Sequence, residues 1–285
     1  MSLKYEIVYK AKNTYENTIS EAFWQFLIVP EENETQELVE SEFNDSHETI
    51  NELSINGLGF KVIRIRPRKE INTISFSARF VIFKQNINPY DFKLNYSPSD
   101  DYEEIQKLDF QSEHEPYLRK TVLTKLPEKY KSIYVFYPLT SVFENLKSLT
   151  NWVFNKLFFK TGVTDVHTTL QEIIEKRHGV CQDFTHLFCA ICRENSIPAR
   201  YVSGYLHQGN GYFGDSQMHA WAEAFVPNVG WIGFDPTNDI LADSNHIKVS
   251  HGKDYNDCSP LKGIVYGEGG NETTYTVEVQ ASQQQ

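Results

Sequence analysis

The sequence predicts an α+β protein in which a β-rich N-terminal region precedes a mixed region of amphipathic helices followed by strands. Three observations carry this. Tyr5, Ile7 and Tyr9 alternate with Lys4, Glu6 and Lys10, and Ile74, Phe76, Ala78, Phe80 and Ile82 alternate with mostly polar residues, the period of two of half-buried strands. Val142, Phe143, Leu146, Leu149, Val153 and Leu157 recur instead at three- and four-residue steps, the apolar stripe of a helix. Beyond 198 the pattern returns to strands, at Ala199–Leu206, His219–Val226 and 230–234.

In chain order, residues 62–65 add another N-terminal strand, and the turn-forming clusters at 30–33, 44–46 and Asn56-Gly57 with Gly59 separate the runs. That spacing suits an antiparallel sandwich. The acidic stretch 31–48 reads as solvated strand and loop. Residues 86–101, with Pro89 and Pro98, read as a boundary, which divides the chain into an accessory domain at 1–88 and a core at 89–285. After the long helix, Leu170, Ile173 and Ile174 mark a second, short helix with Thr168 as its expected N-cap. His178-Gly179-Val180 leads into a third helix with Phe184, Leu187, Phe188 and Ile191 on its apolar face. It ends near Asn195, ahead of Pro198, which cannot continue a helix. Pro227-Asn228 and Gly230 then make a tight turn, so the last two strands are expected to form a hairpin.

Composition limits what such a fold could do. With 40% hydrophobic residues the chain can build a packed core, and 16 Tyr and 19 Phe lean it toward strands. A net charge of −11 argues against nucleic acid, whose phosphates demand a basic face, and the cluster Arg64, Arg66, Arg68 and Lys69 reads as a solvated strand end. No run approaches the ~18 apolar residues of a membrane span, and the stretch 23–29 stops at Pro30. No secretory leader is legible, so the expected compartment is the cytoplasm, with no membrane partner. Four cysteines do not make a disulfide framework.

Chemistry concentrates at Cys181, His219 and Asp235. Cys181 stands where a glycine-bearing turn meets a helix start. There unpaired N–H groups and the helix dipole favour thiolate over thiol and can receive an oxyanion. His219 opens one strand and Asp235 closes the next, so in a hairpin with strands ~5 Å apart the two side chains can meet. Spacing alone leaves a plainer reading open: a small buried thiol, a hydrogen-bonded strand histidine and a turn-starting aspartate.

The wording around these residues is more specific. Gly179-Val180-Cys181-Gln182-Asp183-Phe184-Thr185-His186, Ile197-Pro198-Ala199-Arg200-Tyr201-Val202-Ser203-Gly204-Tyr205, His219-Ala220-Trp221-Ala222-Glu223 and Gly230-Trp231-Ile232-Gly233-Phe234-Asp235-Pro236-Thr237-Asn238 resemble, in order, the blocks of the bacterial transglutaminase-like cysteine peptidase family. The resemblance covers about 165–240, and the β-rich region more loosely resembles the accessory domain that precedes the core in many members. It implies a papain-like core in which a Cys-bearing helix packs on an antiparallel sheet bearing the His and Asp. Cys181 would be nucleophile, His219 general base and acid, and Asp235 the orienting carboxylate. The implied activity is hydrolysis of a protein or peptide amide through an acyl-enzyme. Acyl transfer to an amine, or a non-catalytic binding scaffold, are the alternatives.

Around the triad, Gln182 is expected to line the cleft and Asp183 to complement the helix dipole. Tyr205 is a candidate oxyanion donor through its hydroxyl, His186 a structural hydrogen-bonder, and Trp221 and Trp231 packing or shielding groups. Cys189 and Cys192 form a C-x-x-C in mid-helix without a second ligand pair, which reads as core packing, and Cys258 stands in a polar loop. With no oxygen-rich calcium loop or phosphate-cradling glycine loop, neither metal nor cofactor is expected. Gly209, Gly211 and Gly214 mark a segment expected to border the cleft.

Overall fold

A computed structural model describes residues 2–93, 97–207 and 217–283; the glycine segment around 209–214 lies outside the described residues. Six strands come first: β1 (Ser2–Ile19), β2 (Glu21–Phe26), β3 (Gln36–Asp45), β4 (Asn51–Ile55), β5 (Lys61–Ile65) and β6 (Ile71–Gln85). The helices α1 (Pro98–Gln106), α2 (Leu108–Glu113) and α3 (Glu115–Leu118) lead to α4 (Val142–Lys156), followed by β7 (Phe158–Phe159), α5 (Leu170–Lys176), β8 (His178–Gly179) and α6 (Cys181–Glu194). Then come β9 (Ala199–Leu206), β10 (His219–Val226), β11 (Gly230–Asp235), β12 (Ile240–Leu241), β13 (His246–Gly252), α7 (Tyr255–Cys258), β14 (Leu261–Tyr266) and β15 (Asn271–Gln283).

Alternation works as expected in β1. Tyr5, Ile7, Tyr9, Ala11, Asn13 and Tyr15 are buried, while Lys10, Lys12 and Thr14 face solvent. The buried set meets β6 in antiparallel register, with Ile7 opposite Phe80 and Ala11 opposite Phe76. Two four-stranded antiparallel sheets, in the orders β15-β1-β6-β3 and β14-β2-β5-β4, share one apolar core. Aromatic edges lock them together: Phe26 and Trp24 meet Phe76 with ring centroids 4.7 and 5.4 Å apart. The outermost β3 carries the acidic stretch on a largely exposed surface.

The chain's last two strands belong to these N-terminal sheets. β15 pairs with β1 and β14 with β2, so the division at 88/89 drawn from sequence misses a C-terminal return. Each edge that β1 and β2 would otherwise leave open is paired.

The second core forms where α4 and α6 pack on one face of the sheet β12-β11-β10-β9-β13. Leu187, Phe188, Cys189 and Ile191 of α6 meet Ala222, Ala224 and Phe234 there. Farther along the same face, beyond α6, Tyr205, Ile247 and Val249 join the sandwich core beside Phe80. This is the α+β architecture expected, with the core sheet joined to the sandwich through these residues. Among the described residues no helix is long and apolar enough to cross a membrane. The short helix α5 is capped one residue later than expected. Thr169 accepts from the Glu172 N–H at 3.4 Å while Glu172 accepts from the Thr169 N–H at 3.0 Å. Thr168 instead accepts from the Asp165 N–H at 2.9 Å and closes the preceding turn.

Candidate active site

Cys181 is the first residue of α6, and its thiol is half-buried. A carboxylate sets where that helix begins. Asp183 Oδ2 accepts from the Val180 N–H at 2.8 Å and from Thr164 Oγ1 at 2.7 Å. The carboxylate folds back over Gly179, where an added Cβ would lie 2.5 Å from Oδ2. Glycine before the cysteine is therefore a packing requirement, and Asp183 does more than complement the dipole: it closes the first turn.

On β10, Ala222 and Ala224 face α6, so the period of two turns His219, Trp221 and Glu223 to the opposite face. On β11, Phe234 faces α6 and Asp235 alternates away. With Ala222 paired to Phe234, Asp235 falls diagonal to His219 on the shared face. Both side chains are fully buried, and His219 Nε2 donates to Asp235 Oδ2 at 2.8 Å. Oδ2 also accepts from Asn238 Nδ2 at 2.7 Å, and Oδ1 from the Thr237 N–H at 3.0 Å. Burial opposes the charge on Asp235, but the charge and hydrogen bond of His219, and after them those of His246, outweigh it and hold the carboxyl far below the usual range. Burial likewise opposes charge on His219. The Asp235 charge and hydrogen bond, then Cys181, reverse that and hold the imidazole well above its ordinary pKa. With Nε2 committed to Asp235, Nδ1 is the nitrogen left for the thiol. It is buried without a hydrogen bond of standard geometry, a loose contact of the kind that tightens on substrate binding.

Residues 135–236, which hold all three side chains, match the family model described as the transglutaminase-like superfamily. The chain thus carries a region similar to the transglutaminase-like superfamily. Over its length it is similar to an uncharacterized protein of Mycobacterium leprae, 27% identical over 280 residues that cover 96% of this chain and 97% of the relative. An uncharacterized protein of Mycobacterium bovis is 37% identical over 145 residues, 48% of this chain and 46% of the relative, so the match spans less than half of that protein. The whole fold resembles a crystal structure from Cytophaga hutchinsonii described as a "putative cysteine protease", with a TM-score of 0.81, 22% identity and coverage of 100% of this chain and 92% of the other.

In this transglutaminase-like core a second histidine, which sequence reasoning missed, shares the carboxylate. His246 at the start of β13 is buried, and its Nε2 lies 3.2 Å from Asp235 Oδ2. His246 Nδ1 lies 3.1 Å from the Asp243 N–H and 3.2 Å from Asp243 Oδ1, and because the Asp235 carboxylate can only accept, Nε2 is the donor directed at it. No motif marks His246; its only signal is a histidine 11 residues past the aspartate on a further strand. His219, Asp235 and His246 bring ligand atoms within 4.8 Å of one another, a nitrogen and oxygen set of the kind that holds zinc. The hydrogen bonds just described account for the same atoms.

The indole of Trp221 lies beside the His219 ring, 6.2 Å between centroids at 25°, and meets His246 edge-on at 5.2 Å. It fits because Gly204 is opposite His219: a Cβ there would be 2.6 Å from the indole and 2.2 Å from the Ile247 carbonyl oxygen. Trp221 thus shields the imidazole from water. Trp231 is remote from it and lies under the Arg200 guanidinium, 4.2 Å from its ring centroid. Tyr205 cannot serve as the oxyanion donor considered above: it is fully buried in the sandwich core, and its hydroxyl donates to the Ile28 carbonyl at 2.6 Å. Gln182 is half-buried in the first turn of α6, beside Cys181. His186 is buried and accepts from the Tyr255 N–H at 3.2 Å, and burial pushes its pKa down to about 3, a structural role. Cys189 and Cys192 are fully buried in the α6 core, their thiols pushed up by desolvation. Cys258 is not in an open loop. It ends α7, fully buried with Tyr201 and Ala220 in the cluster against which Cys181 and Tyr255 pack.

Farther along the same face, Glu223 accepts from Lys248 Nζ at 2.9 Å and Arg200 Nε at 2.5 Å. Burial would raise its pKa, but these two cations lower it to about 2.

Proposed function

We propose that this chain is a thiol-dependent amide hydrolase acting on protein or peptide substrates, with Cys181 as nucleophile, His219 as base and acid, and Asp235 as the orienting carboxylate. The observation that carries the reading is the 2.8 Å His219–Asp235 hydrogen bond, made through Nε2, which leaves Nδ1 for Cys181. The Cys181 thiolate attacks the amide carbon, and the carbonyl oxygen takes the negative charge. The N–H groups of Asp183 and Phe184 already bond the Val180 carbonyl, so those of Cys181 and Gln182 are the candidates to receive it. The imidazolium gives its Nδ1 proton to the leaving amine as the C–N bond breaks, leaving a thioester. Nδ1 then takes a proton from water as the water oxygen attacks the thioester. Collapse releases the acid, and the thiolate–imidazolium pair is restored.

Trapping the acyl-enzyme tests this. A p-nitrophenyl ester of a short acyl group should add one acyl mass, mapped to Cys181, and none in Cys181→Ala. The adduct should decay in buffer without added amine. A chain that is never acylated, or an adduct that decays only when a primary amine is supplied, contradicts hydrolysis.

A further inference from the structure

Four elements of the chain build a second feature near Cys181. Tyr9, Asn13 and Tyr15 of β1, Trp24 of β2, Tyr255 of α7 and Tyr275 of β15 line a cleft of about 430 Å³, a volume in the range of small-ligand pockets. Its link to the thiol runs through a shared cluster. Tyr255 packs with Cys181 against Tyr201 and Cys258. Tyr275 is near enough for Cys181, after burial and Tyr255, to push its hydroxyl pKa up. Tyr275 also donates to Gln217 Oε1 at 3.4 Å, two residues ahead of His219.

None of the described residues lining this cleft carries a charge. Its walls are aromatic, and one polar atom is unmet. Asn13 is 3% exposed; its Nδ2 donates to the Tyr15 hydroxyl at 3.2 Å, but its Oδ1 is buried with no hydrogen-bond partner. An orphaned buried acceptor is costly, and a ligand that brings a donor recovers that cost. An ammonium or carboxylate would enter without a counter-ion. A neutral ring with a single O–H or N–H packs on the aromatic walls and satisfies Oδ1 together.

We propose that this cleft is a specificity pocket of the Cys181 site, selecting a substrate side chain that is aromatic and carries one hydrogen-bond donor, of the tyrosine or tryptophan type, with Asn13 Oδ1 as acceptor. The assignment rests on the amide-hydrolase reading above, so its test has an arm independent of catalysis. In the first arm, peptidyl chloromethyl ketones bearing Tyr, Trp, Phe, Leu, Lys or Glu alkylate Cys181 with loss of chloride. Their rates, read by intact mass, are each divided by the iodoacetamide rate. Tyr and Trp should exceed Phe by about tenfold or more, and Asn13→Leu should close that gap. Equal rates for Tyr and Phe overturn the proposal, as does a preference for Lys or for Glu. In the second arm, N-acetyltyrosinamide is titrated into Cys181→Ala by calorimetry. Binding that exceeds that of the phenylalanine analogue about tenfold, and is lost in Asn13→Leu, supports the pocket even if Cys181 proves inert. Absence of any binding to Cys181→Ala overturns it even if Cys181 is reactive.

Discussion

Strand β10 separates two kinds of interior within one run of eight residues. Toward α6 it presents Ala222 and Ala224 to an apolar core of Leu187, Phe188 and Cys189. On the opposite face it presents His219, Trp221 and Glu223, two of them ionisable and joined to Asp235, Lys248 and Arg200. The first interior holds by close packing, where each methylene lost costs about 1 kcal/mol and neighbours can partly collapse. The second holds by pairing, where removal of one partner strands a buried charge. Both faces are largely inside, though Glu223 keeps 15% of its side chain exposed, and substitutions on them should differ in size and in kind.

The largest effect is expected at Asp235. Asp235→Ala takes the shared acceptor from two imidazoles, and Cys181-dependent turnover should fall by roughly 10³- to 10⁴-fold, as when a triad carboxylate is lost elsewhere; a loss under tenfold would break the contrast. Glu223→Ala strands Lys248 and Arg200 and should cost about 3–5 kcal/mol in chemical denaturation. The pH dependence has a definite sign. The folded pKa of Glu223 is lowered to about 2, so its contribution is complete above the ordinary glutamate value of ~4.3 and is lost as the pH falls toward 2. His246→Ala should slow Cys181 acylation by about tenfold through misorientation of Asp235. His246→Gln, which can still donate to Oδ2, should recover most of that rate; equal loss in both variants would reduce His246 to a packing residue. Least affected should be the α6 face. Cys189→Ala or Cys192→Ala should each cost about 1 kcal/mol in a thermal melt, with the alkylation rate of Cys181 retained.

What was legible in sequence was local. The hairpin turn at Pro227-Asn228-Gly230, the limits of α6 and the alternation of β1 each depend on neighbours a few residues away, and each stands where expected. The meeting of His219 and Asp235 followed because a hairpin joins two adjacent strands. His246 was invisible because it reaches Asp235 from β13, on the far side of β9 in the sheet order. Tyr205 was misassigned for a related reason. It lies within a motif block, yet its side chain belongs to the sandwich, whose Ile28 carbonyl is 177 residues distant in the chain. The pairing of β14 with β2 and of β15 with β1 is longer in range still. Alternation can mark a strand, but it does not name the strand's partner.

The central claim is that Cys181 and His219 form a thiolate–imidazolium pair. The most direct test is the rate of Cys181 alkylation by iodoacetamide from pH 5.5 to 9, in the native chain and in His219→Ala. Asp235 and Cys181, against burial, raise the His219 pKa to about 10, so the imidazolium persists across this range and its partnership is lost only at higher pH. The native rate at pH 6 should stay within about tenfold of that at pH 8.5, whereas an ordinary thiol of pKa ~8.5, the behaviour expected of His219→Ala, should lose roughly 150-fold over the same interval. A native profile that falls as steeply as the variant's would contradict the pair and the chemistry built on it.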